Sequence, residues 1–295
     1  MDWQEQLISL YLFVCKHYQN ELWVYNQRMG NYANLSFTDE EVITLYLFGI
    51  IDGRRSIKKI YEYADRHLRA WFPSLPSYVA YVQRLNQAAE IFPPLLEKLQ
   101  LESETSHINP ALLIDSFPVV LAKQGRRFKA KVAPELASSG YCSTKKLYYY
   151  GVKVHIAGRN QHGTLPIPEF VGVYGASEHD GKVFDQIRPE MSGEIVFGDK
   201  AYARPDATEI KDMYNLSVLT PVKKEKGQKY LDAADQWLSS AVSSVRQPIE
   251  SLFNWIEEKT GIEAASKVRS YSGLLVHVFG RLTAGLFYWN KIRMV

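Results

Sequence analysis

Cysteines and long apolar runs are scarce in this sequence. Its 295 residues include two cysteines, Cys15 and Cys142, which have neither the spacing of metal ligands nor that of a disulfide framework. A chain of this kind suits a reducing compartment. No stretch approaches about 18 uncharged apolar residues, and the first residues lack a basic segment followed by a small-residue cleavage site. We therefore expect a cytoplasmic protein that is neither secreted nor inserted in a membrane.

Several compact catalytic motifs are missing as well. The seven histidines are dispersed and show no zinc-binding spacing. The glycines form neither a phosphate-binding loop nor a dinucleotide-binding pattern. Neither a Ser-His-Asp nor a Cys-His nucleophile can be identified. The candidates for chemistry are therefore the carboxylates.

Positive charge is modest overall but concentrated in one segment. The formal net charge is +3, from 35 Lys and Arg against 32 Asp and Glu. Between Val120 and Asn160, however, nine basic residues accompany a single acid, Glu135. Such a segment is typical of a surface that binds a polyanion, and both nucleic acid and a phosphate ligand are open. Ordinary solubilising surface charge is the alternative interpretation.

The first hundred residues carry apolar side chains at three- and four-residue spacing, which predicts helices. Thr38 and Glu41 form a capping box, so a helix should run from about Asp39 to Ile51. Ser56 and Ser77 can cap two further helices. The predicted stops of the three helices are Gly53, Pro73 and Pro93.

Short helices joined by tight turns are compatible with a helix-turn-helix unit that binds DNA. They are equally compatible with a plain helical bundle, which the pattern alone favours. If the unit binds DNA, the polar candidates on its third helix are Ser77, Tyr81, Gln83, Arg84 and Gln87.

From residue 111 onwards, short apolar runs alternate with helical stretches. ALLIDSFPVV predicts a first strand, and the alternating residues of YYYGVKVHIAG predict a half-buried second strand. IPEFVGVYG predicts a third. Loops rather than helices join these three strands, which favours an antiparallel meander. Two later strands, EIVFGD and SVLTP, are joined through helices and are expected to be parallel neighbours.

Two aspartates occupy an unusual position for an acid. Asp115 follows the apolar run LLI, and Asp199 follows IVFG. A carboxylate at the end of a buried strand needs hydrogen bonds, a basic partner or a metal ion. Each aspartate alone could simply cap a helix or a turn. Two of them on strands of one sheet favour a ligand site, because ligands collect where sheet strands end.

A third acid would complete a site for a hard cation, since Mg²⁺ and Mn²⁺ prefer oxygen ligands. Glu250 borders the buried stripe of a predicted helix, and Arg246 lies four residues before it. Pro248 could place this pair in the first helical turn and spoil its alignment. A surface salt bridge is the alternative role for Glu250.

Several ordered motifs connect these acids to a known family. LLIDSFPV, YYGVKVHI, VFGDKAY and RQPIESLFNWIEEKTGIE, with RSYSGLLVHVFGRLTAGLFYWN after them, together resemble the DDE transposases of bacterial insertion sequences. The resemblance extends over about residues 107–293 and is weaker across the N-terminal helices. It implies an α/β fold with an RNase H-like mixed sheet flanked by helices, preceded by an all-α N-terminal region.

The resemblance also implies a division of the chain. Residues 1–106 would form the helical N-terminal region, with a possible helix-turn-helix. Residues 107–295 would form the RNase H-like catalytic domain. The basic segment then becomes an insert at about residues 121–147 of that domain.

By resemblance, three acids become the catalytic residues and the ligands of two Mg²⁺ or Mn²⁺ ions: Asp115, Asp199 and Glu250. Arg246 matches a basic residue that precedes the glutamate by four positions. Relatives often carry a tyrosine and a lysine where this chain has Ser243 and Glu257. Lys259 is a candidate substitute for that lysine.

The implied function is that of a transposase, which cleaves the DNA ends of its own insertion sequence and joins them to a target by a two-metal mechanism. Its partners would be double-stranded DNA and a second copy of the chain, in the nucleoid of a bacterium. An RNase H-like nuclease without joining activity and an inactive DNA-binding descendant remain open. The predicted DNA contacts are Arg84, Arg126, Arg127, Lys129, Lys145, Lys146, Arg246 and Lys259.

One polar pair follows the third predicted strand. His179 and Asp180 stand in ASEHDGKVF and could reach the catalytic site. Capping of the next helix by Asp180 is the favoured interpretation.

Overall fold

The computed structural model describes residues 2–27, 35–103 and 111–293, and the chain divides into two compact units. The first unit combines Met1–Ser103 with Ile256–Val295, and the second is Glu104–Trp255. The predicted boundary between residues 106 and 107 lies outside the described residues. Residues 256–295, which the sequence-based division places in the catalytic domain, group in the structure with the N-terminal helices.

Helices form the first unit and flank the sheet of the second. In chain order, the α-helices of the described residues are Trp3–Asn20 (α1), Asp39–Ile51 (α2), Ile57–His67 (α3), Tyr78–Gln87 (α4), Phe92–Ser103 (α5), Asp180–Ile187 (α6), Ala207–Tyr214 (α7), Ala233–Thr260 (α8), Tyr271–Leu275 (α9) and Arg281–Arg293 (α10). Short 3₁₀ helices cover Leu22–Asn26, Ala89–Ile91, Gln124–Lys129, Arg188–Met191 and Lys200–Tyr202. A π-helical turn, Val276–Gly280, joins α9 to α10.

The predicted helix starts are confirmed. The Thr38 hydroxyl accepts a hydrogen bond from the Glu41 backbone N–H, and the Glu41 carboxylate accepts one from the Thr38 N–H. Ser56 and Ser77 cap α3 and α4 in the same manner. Local polar side chains therefore satisfy the N–H groups that each helix start leaves without a partner.

The predicted stops at two of the prolines are wrong. α3 ends at His67, well before Pro73, and α4 ends at Gln87. Pro93 lies in the first turn of a new helix, α5, which continues to Ser103. A proline fits there because the first-turn N–H groups have no partner within the helix.

α2 is the buried centre of the first unit. All its residues from Val42 to Ile50 are buried, and α1, α3, α4 and α10 pack against it. A helix that is apolar on every side must be enclosed by neighbours. The C-terminal residues provide part of this enclosure: Tyr46 donates a hydrogen bond to the Val276 carbonyl at 3.2 Å. Within the described ranges, no helix is both long enough and apolar enough to cross a membrane.

The second unit is built on one six-stranded sheet. Its strands are Ala111–Lys123 (β1), Ser138–Cys142 (β2), Leu147–Arg159 (β3), Ile167–Gly175 (β4), Ile195–Phe197 (β5) and Ser217–Leu219 (β6). β3 pairs antiparallel with β1 on one side and with both β2 and β4 on the other, which confirms the antiparallel meander. β5 and β6 are parallel neighbours, as predicted, and β1 also runs parallel to β5. A mixed sheet of this order, flanked by helices, is RNase H-like.

β2 was not predicted from the sequence. It lies in the middle of the basic segment and forms a hairpin with the first residues of β3. The sequence SSGYC has no apolar alternation, so the period-2 signal of a half-buried strand is absent. Pairing with β3 therefore determines this strand.

The two faces of β1 carry different neighbours. Ile114 packs into a buried cluster with residues of α6 and α7. Phe117 contacts Phe253 of α8, with 4.9 Å between the ring centroids. Side chains alternate along a strand, so Asp115 shares the α8 face with Phe117, and Ser116 shares the α6 face with Ile114.

A buried ion cluster joins three strands at the other end of the sheet. Arg159, at the end of β3, donates to both oxygens of Glu169 at 2.6 Å. It also donates to Glu194, which directly precedes β5, at 2.9 and 3.0 Å. Arg159 is only 6% exposed, so these carboxylates are needed to compensate its buried charge.

Replacement of Arg159 by methionine should destabilise the second unit by about 3–5 kcal/mol, because two partly buried carboxylates would face each other without their cation. Urea unfolding followed by circular dichroism measures the effect. The control is Lys182→Met, which removes an exposed positive charge from α6 and should change stability by about 0.5 kcal/mol or less. Equal effects of the two substitutions would contradict the prediction.

Candidate catalytic site

The register of two parallel strands places the first two acids side by side. Leu113 of β1 pairs with Phe197 of β5. Asp115 lies two residues after Leu113 within β1, and Asp199 lies two residues after Phe197, just beyond the end of β5. The negative charge of Asp199 acts on the Asp115 carboxyl, so the two acids are neighbours. β1 and the segment that directly follows β5 therefore carry a pair of neighbouring carboxylates.

Asp199 also has a local structural role. One of its carboxylate oxygens accepts a hydrogen bond from the Ala201 N–H at 2.7 Å, which caps the 3₁₀ helix Lys200–Tyr202. The capping alternative considered for this residue thus describes part of what it does. The cap also fixes the orientation of the carboxylate beside Asp115.

The third acid lies on α8, which continues through Pro248 from Ala233 to Thr260. Because Pro248 is not in the first turn, Arg246 and Glu250 lie one helical turn apart, and the predicted loss of alignment is wrong. The ring contact between Phe253 and Phe117 holds this helix against β1.

Arg246 connects two of the three acids. Its Nη1 donates to Asp115 Oδ2 at 2.6 Å, and its Nη2 donates to Glu250 Oε1 at 2.5 Å. The side chains of Arg246 and Asp115 are 16% and 22% exposed, whereas Glu250 is 53% exposed. A planar guanidinium suits such a double contact, and partial burial makes it stronger than a surface ion pair.

The carboxyl of Asp115 is strongly influenced by its surroundings. Burial raises its pKa from 3.8 to about 6, against the lowering effects of the Ser116 N–H and the Arg246 guanidinium. The negative charges of Asp199 and Asp180 raise the pKa further. The site therefore holds more negative charge than its basic residues neutralise, which favours the binding of a cation.

Asp180 does not cap its helix, and its negative charge acts on Asp115. Its Oδ1 accepts from Lys153 Nζ at 2.6 Å and from the Ser116 hydroxyl at 3.4 Å. The residue that caps α6 is His179, whose Nδ1 accepts from the Gly181 N–H at 3.1 Å. The favoured capping role of Asp180 is therefore wrong, because the Lys153 ammonium holds its carboxylate instead.

Lys153 and His155 are site residues that the sequence analysis missed. They lie two residues apart on β3, so both point to the face that carries Ser116, the strand partner of His155. The His155 ring is fully buried, and its Nε2 lies 3.6 Å from Asp180 Oδ1. The alternation in YYGVKVHI contained this signal, because it places polar residues at every second position of a strand next to Asp115.

Burial also shifts the pKa values of His155 and Tyr202. It lowers the pKa of His155 to about 4, although the negative charge of Asp180 acts in the opposite direction. Burial raises the pKa of Tyr202, and nearby acids including Asp115 add to the effect. The Tyr202 hydroxyl lies 3.3 Å from His155 Nδ1. Near neutral pH both groups are therefore uncharged.

The ligand types suit a hard divalent cation, since all three predicted ligands offer carboxylate oxygens. Within the part of the chain that the structure describes, no three His, Cys, Asp or Glu side chains are grouped closely enough to hold a metal ion as they stand. The guanidinium of Arg246 lies between two of these carboxylates. Binding of an ion to both would therefore require Arg246 to move away from at least one of them.

The basic residues of the insert are at the surface. Arg126 and Lys129 are exposed on the 3₁₀ helix Gln124–Lys129, and Lys145 and Lys146 are exposed in the turn between β2 and β3. Arg127 is less exposed, because its guanidinium packs on neighbouring aromatic rings. The structure thus brings the predicted contacts of the insert to one segment of surface without assigning them a ligand.

Two other predicted contacts lie elsewhere. Arg84 donates to Asp39 Oδ1 at 2.8 Å within the first unit, and Tyr81 of the same helix is completely buried. Lys259 lies nine residues after Glu250, which places it about 180° around α8 from that acid. Arg84 is thus engaged within the first unit, and Lys259 points away from Glu250 on α8.

The fold and the site together define a class of protein: an RNase H-like domain with carboxylates on its central strand β1, directly after β5 and on a helix that packs against β1. The family model of the transposase DDE domain matches residues 107–286, which is more than half of the chain. The chain belongs to this family, whose members generally use divalent metal ions, and family membership implies that it binds DNA. Searches of curated proteins and of solved structures found no match.

The raised pKa of Asp115 predicts a measurable pH dependence. In the folded protein the Asp115 carboxyl keeps a proton that it releases in the unfolded chain. This carboxyl therefore stabilises the fold below about pH 4, and its contribution is lost as the pH rises through about 6. The loss should reach about 3 kcal/mol. The Asp115→Asn variant has no carboxyl to ionise at this position, so it does not lose this stability. Its free energy of unfolding should therefore rise relative to that of wild type between about pH 4 and pH 7.

Urea unfolding at several pH values checks this expectation. Ser116→Ala is the control, because it changes a neighbour of Asp115 without removing an acid and should keep the wild-type slope. A stability difference between Asp115→Asn and wild type that is constant across this pH range would show that the pKa is not raised.

Proposed function

We propose that this chain is a DDE transposase, which cuts the DNA ends of its own mobile element and joins them to a target. The observation that carries the proposal is the proximity of Asp115 on β1 to Asp199 just after β5, with Glu250 tied to Asp115 through Arg246. Membership of the transposase DDE family supports it, because DNA is the substrate that the family implies.

Asp115, Asp199 and Glu250 would hold two Mg²⁺ or Mn²⁺ ions. When bound, such ions activate a water or a 3′ hydroxyl and stabilise the leaving oxygen of a phosphodiester. The protein would contribute the orientation of its ligands: β1 carries Asp115, and the Ala201 N–H donates a hydrogen bond that orients Asp199. Ordered ligands on rigid strands and a helix are what this chemistry requires.

Arg246 has a second role in this proposal. In the structure its guanidinium neutralises Asp115 and Glu250. Once a divalent cation balances these acids, the planar fork of donors is available for a phosphate of the DNA strand. The same residue would then stabilise the site without DNA and position the substrate when DNA is bound.

The basic insert would provide the DNA surface of the second unit. Its exposed residues Arg126, Lys129, Lys145 and Lys146 can contact phosphates without reading the sequence. Arg84 and Lys259 are not part of the proposed surface, because one pairs with Asp39 and the other lies opposite Glu250 on α8. We also infer that a homodimer binds the two element ends in the cytoplasm of a bacterium.

Two positions raise the alternative of an inactive DNA-binding descendant. Ser243 donates to the Ser239 carbonyl of its own helix at 2.7 Å, where relatives often carry a tyrosine. Glu257 accepts from the Glu263 N–H at 2.8 Å, where relatives often carry a lysine. A nuclease that cuts without joining would use the same three acids. These alternatives differ from the main proposal in the products that they form.

An assay on labelled DNA from the flanks of the coding sequence separates the three functions. With Mg²⁺, the wild-type protein should yield both cleaved and strand-transfer products. Asp199→Asn should reduce both by at least about 100-fold, because it removes a negatively charged oxygen ligand. Asp212→Asn, which neutralises an exposed acid on α7, should keep wild-type rates.

Each other result identifies a different protein. Cleavage without joining indicates the nuclease, and DNA binding without either product, together with no saturable Mn²⁺ binding in a calorimetric titration, indicates the inactive descendant. Full activity of Asp199→Asn would rule out the assignment of this residue as a metal ligand.

A further inference from the structure

A continuous row of planar side chains crosses the surface of the basic insert. Tyr141 of β2 pairs with Tyr148 of β3, and their ring centroids are 4.5 Å apart. The guanidinium carbon of Arg127 lies 4.4 Å from the centroid of the Tyr148 ring and 4.4 Å from that of Phe128. Phe128, Arg127, Tyr148 and Tyr141 therefore contact one another in sequence, and we call them the aromatic row.

The aromatic row is not part of the core. Phe128 is 76% exposed, Tyr148 54% and Tyr141 50%. The opposite face of the hairpin provides the packing, because Tyr149 is buried against Val120 there. Large exposed rings have an unfavourable contact with water, and a concentration of them on one hairpin indicates a binding surface.

Positive charge surrounds the aromatic row. Lys145 and Lys146 lie in the turn that joins its two tyrosine-bearing strands, and this turn is closed by a hydrogen bond from the Lys146 N–H to the Ser143 carbonyl. Arg126 and Lys129 lie on the 3₁₀ helix that carries Arg127 and Phe128. Exposed rings for bases and basic side chains for phosphates are the two components of surfaces that bind single-stranded nucleic acid.

We propose that the aromatic row stacks on unpaired DNA bases, so that the insert binds single-stranded or locally opened DNA. Intact duplex keeps its bases stacked inside, and a surface for duplex phosphates would need the lysines and arginines but not the rings. The inference deepens the proposed function, on which it rests for the identity of the nucleic acid as DNA. The aromatic row would give the insert a preference for single-stranded over duplex DNA, which basic side chains alone do not provide.

Fluorescence anisotropy in the absence of divalent ions tests the proposal. The probes are a labelled thymidine 15-mer and a labelled duplex of equal length. Phe128→Leu/Tyr148→Leu should weaken binding of the single strand by about 5- to 150-fold for each base that no longer stacks on an aromatic side chain. Binding of the duplex should change by about twofold or less, and the salt dependence should stay at the wild-type slope.

Three further variants make the result specific. Phe128→Trp/Tyr148→Trp restores rings at both positions and should restore binding. Lys145→Ala/Lys146→Ala should weaken both probes and flatten the salt dependence by roughly one unit for each lost phosphate contact. Tyr230→Leu removes another exposed ring, 83% exposed and outside the aromatic row, and should bind both probes like wild type. Thermal unfolding by circular dichroism confirms that each variant is folded.

Single-strand binding by the Phe128→Leu/Tyr148→Leu variant is the decisive measurement. Wild-type affinity for the single strand, or an equal loss for single strand and duplex, overturns the proposal. Because no divalent ion is present, the outcome is independent of cleavage. Ring-dependent binding by a protein that cuts no DNA would leave the aromatic row standing and refute the proposed function. If the protein cleaves and joins DNA but its leucine variant binds the single strand normally, the proposed function stands and the aromatic row is refuted.

Discussion

The charge balance around Asp115 of β1 is the constraint on which the site depends. Asp115 is a largely buried acid in a strand, and such a group is tolerated only with compensation. Arg246 supplies it and connects the same carboxylate to Glu250. This contact requires α8 to lie against β1 in one position, with Arg246 and Glu250 on the side that faces the sheet end. The ring contact of Phe253 with Phe117 and an unbroken helix across Pro248 meet that requirement.

The sheet brings together acids that are far apart in the sequence. Because β1 and β5 are parallel and paired through Leu113 and Phe197, Asp115 and the residue Asp199 that follows β5 come close enough for the charge of one to act on the other. The antiparallel strand β3 adds Lys153 and His155 from the other side of β1. The basic insert enters the fold as a hairpin on β3, so it adds a charged surface without changing the order of the central strands.

Features decided by neighbouring residues could be predicted from the sequence. The capping box of Thr38 and Glu41 depends on residues three apart, and the meander follows from short loops and alternating side chains. The apolar runs before Asp115 and Asp199 predict the buried strands β1 and β5, although β1 continues past Asp115 to Lys123. Each of these signals lies within a few residues of the feature that it specifies.

Features decided by distant partners could not be predicted in this way. β2 exists because β3 offers a pairing edge, and Asp180 joins the site because Lys153 of another strand holds its carboxylate. Arg84 has the composition of a DNA contact, but the buried acid Asp39 binds it. Residues 256–295 belong to the helical unit because α2 is apolar on all sides and needs neighbours. In all these cases the deciding partner lies far away in the sequence.

The central claim is that the three carboxylates form a cation site which Arg246 neutralises when no metal is bound. Calorimetric titration of Mn²⁺ into the DNA-free protein tests it most directly, with Arg246→Met compared with Lys259→Met on the opposite side of α8. Removal of the resident positive charge should tighten Mn²⁺ binding by about tenfold, because like charges repel at this short range. Lys259→Met should bind as wild type does. Equal or weaker Mn²⁺ binding by Arg246→Met would contradict the account.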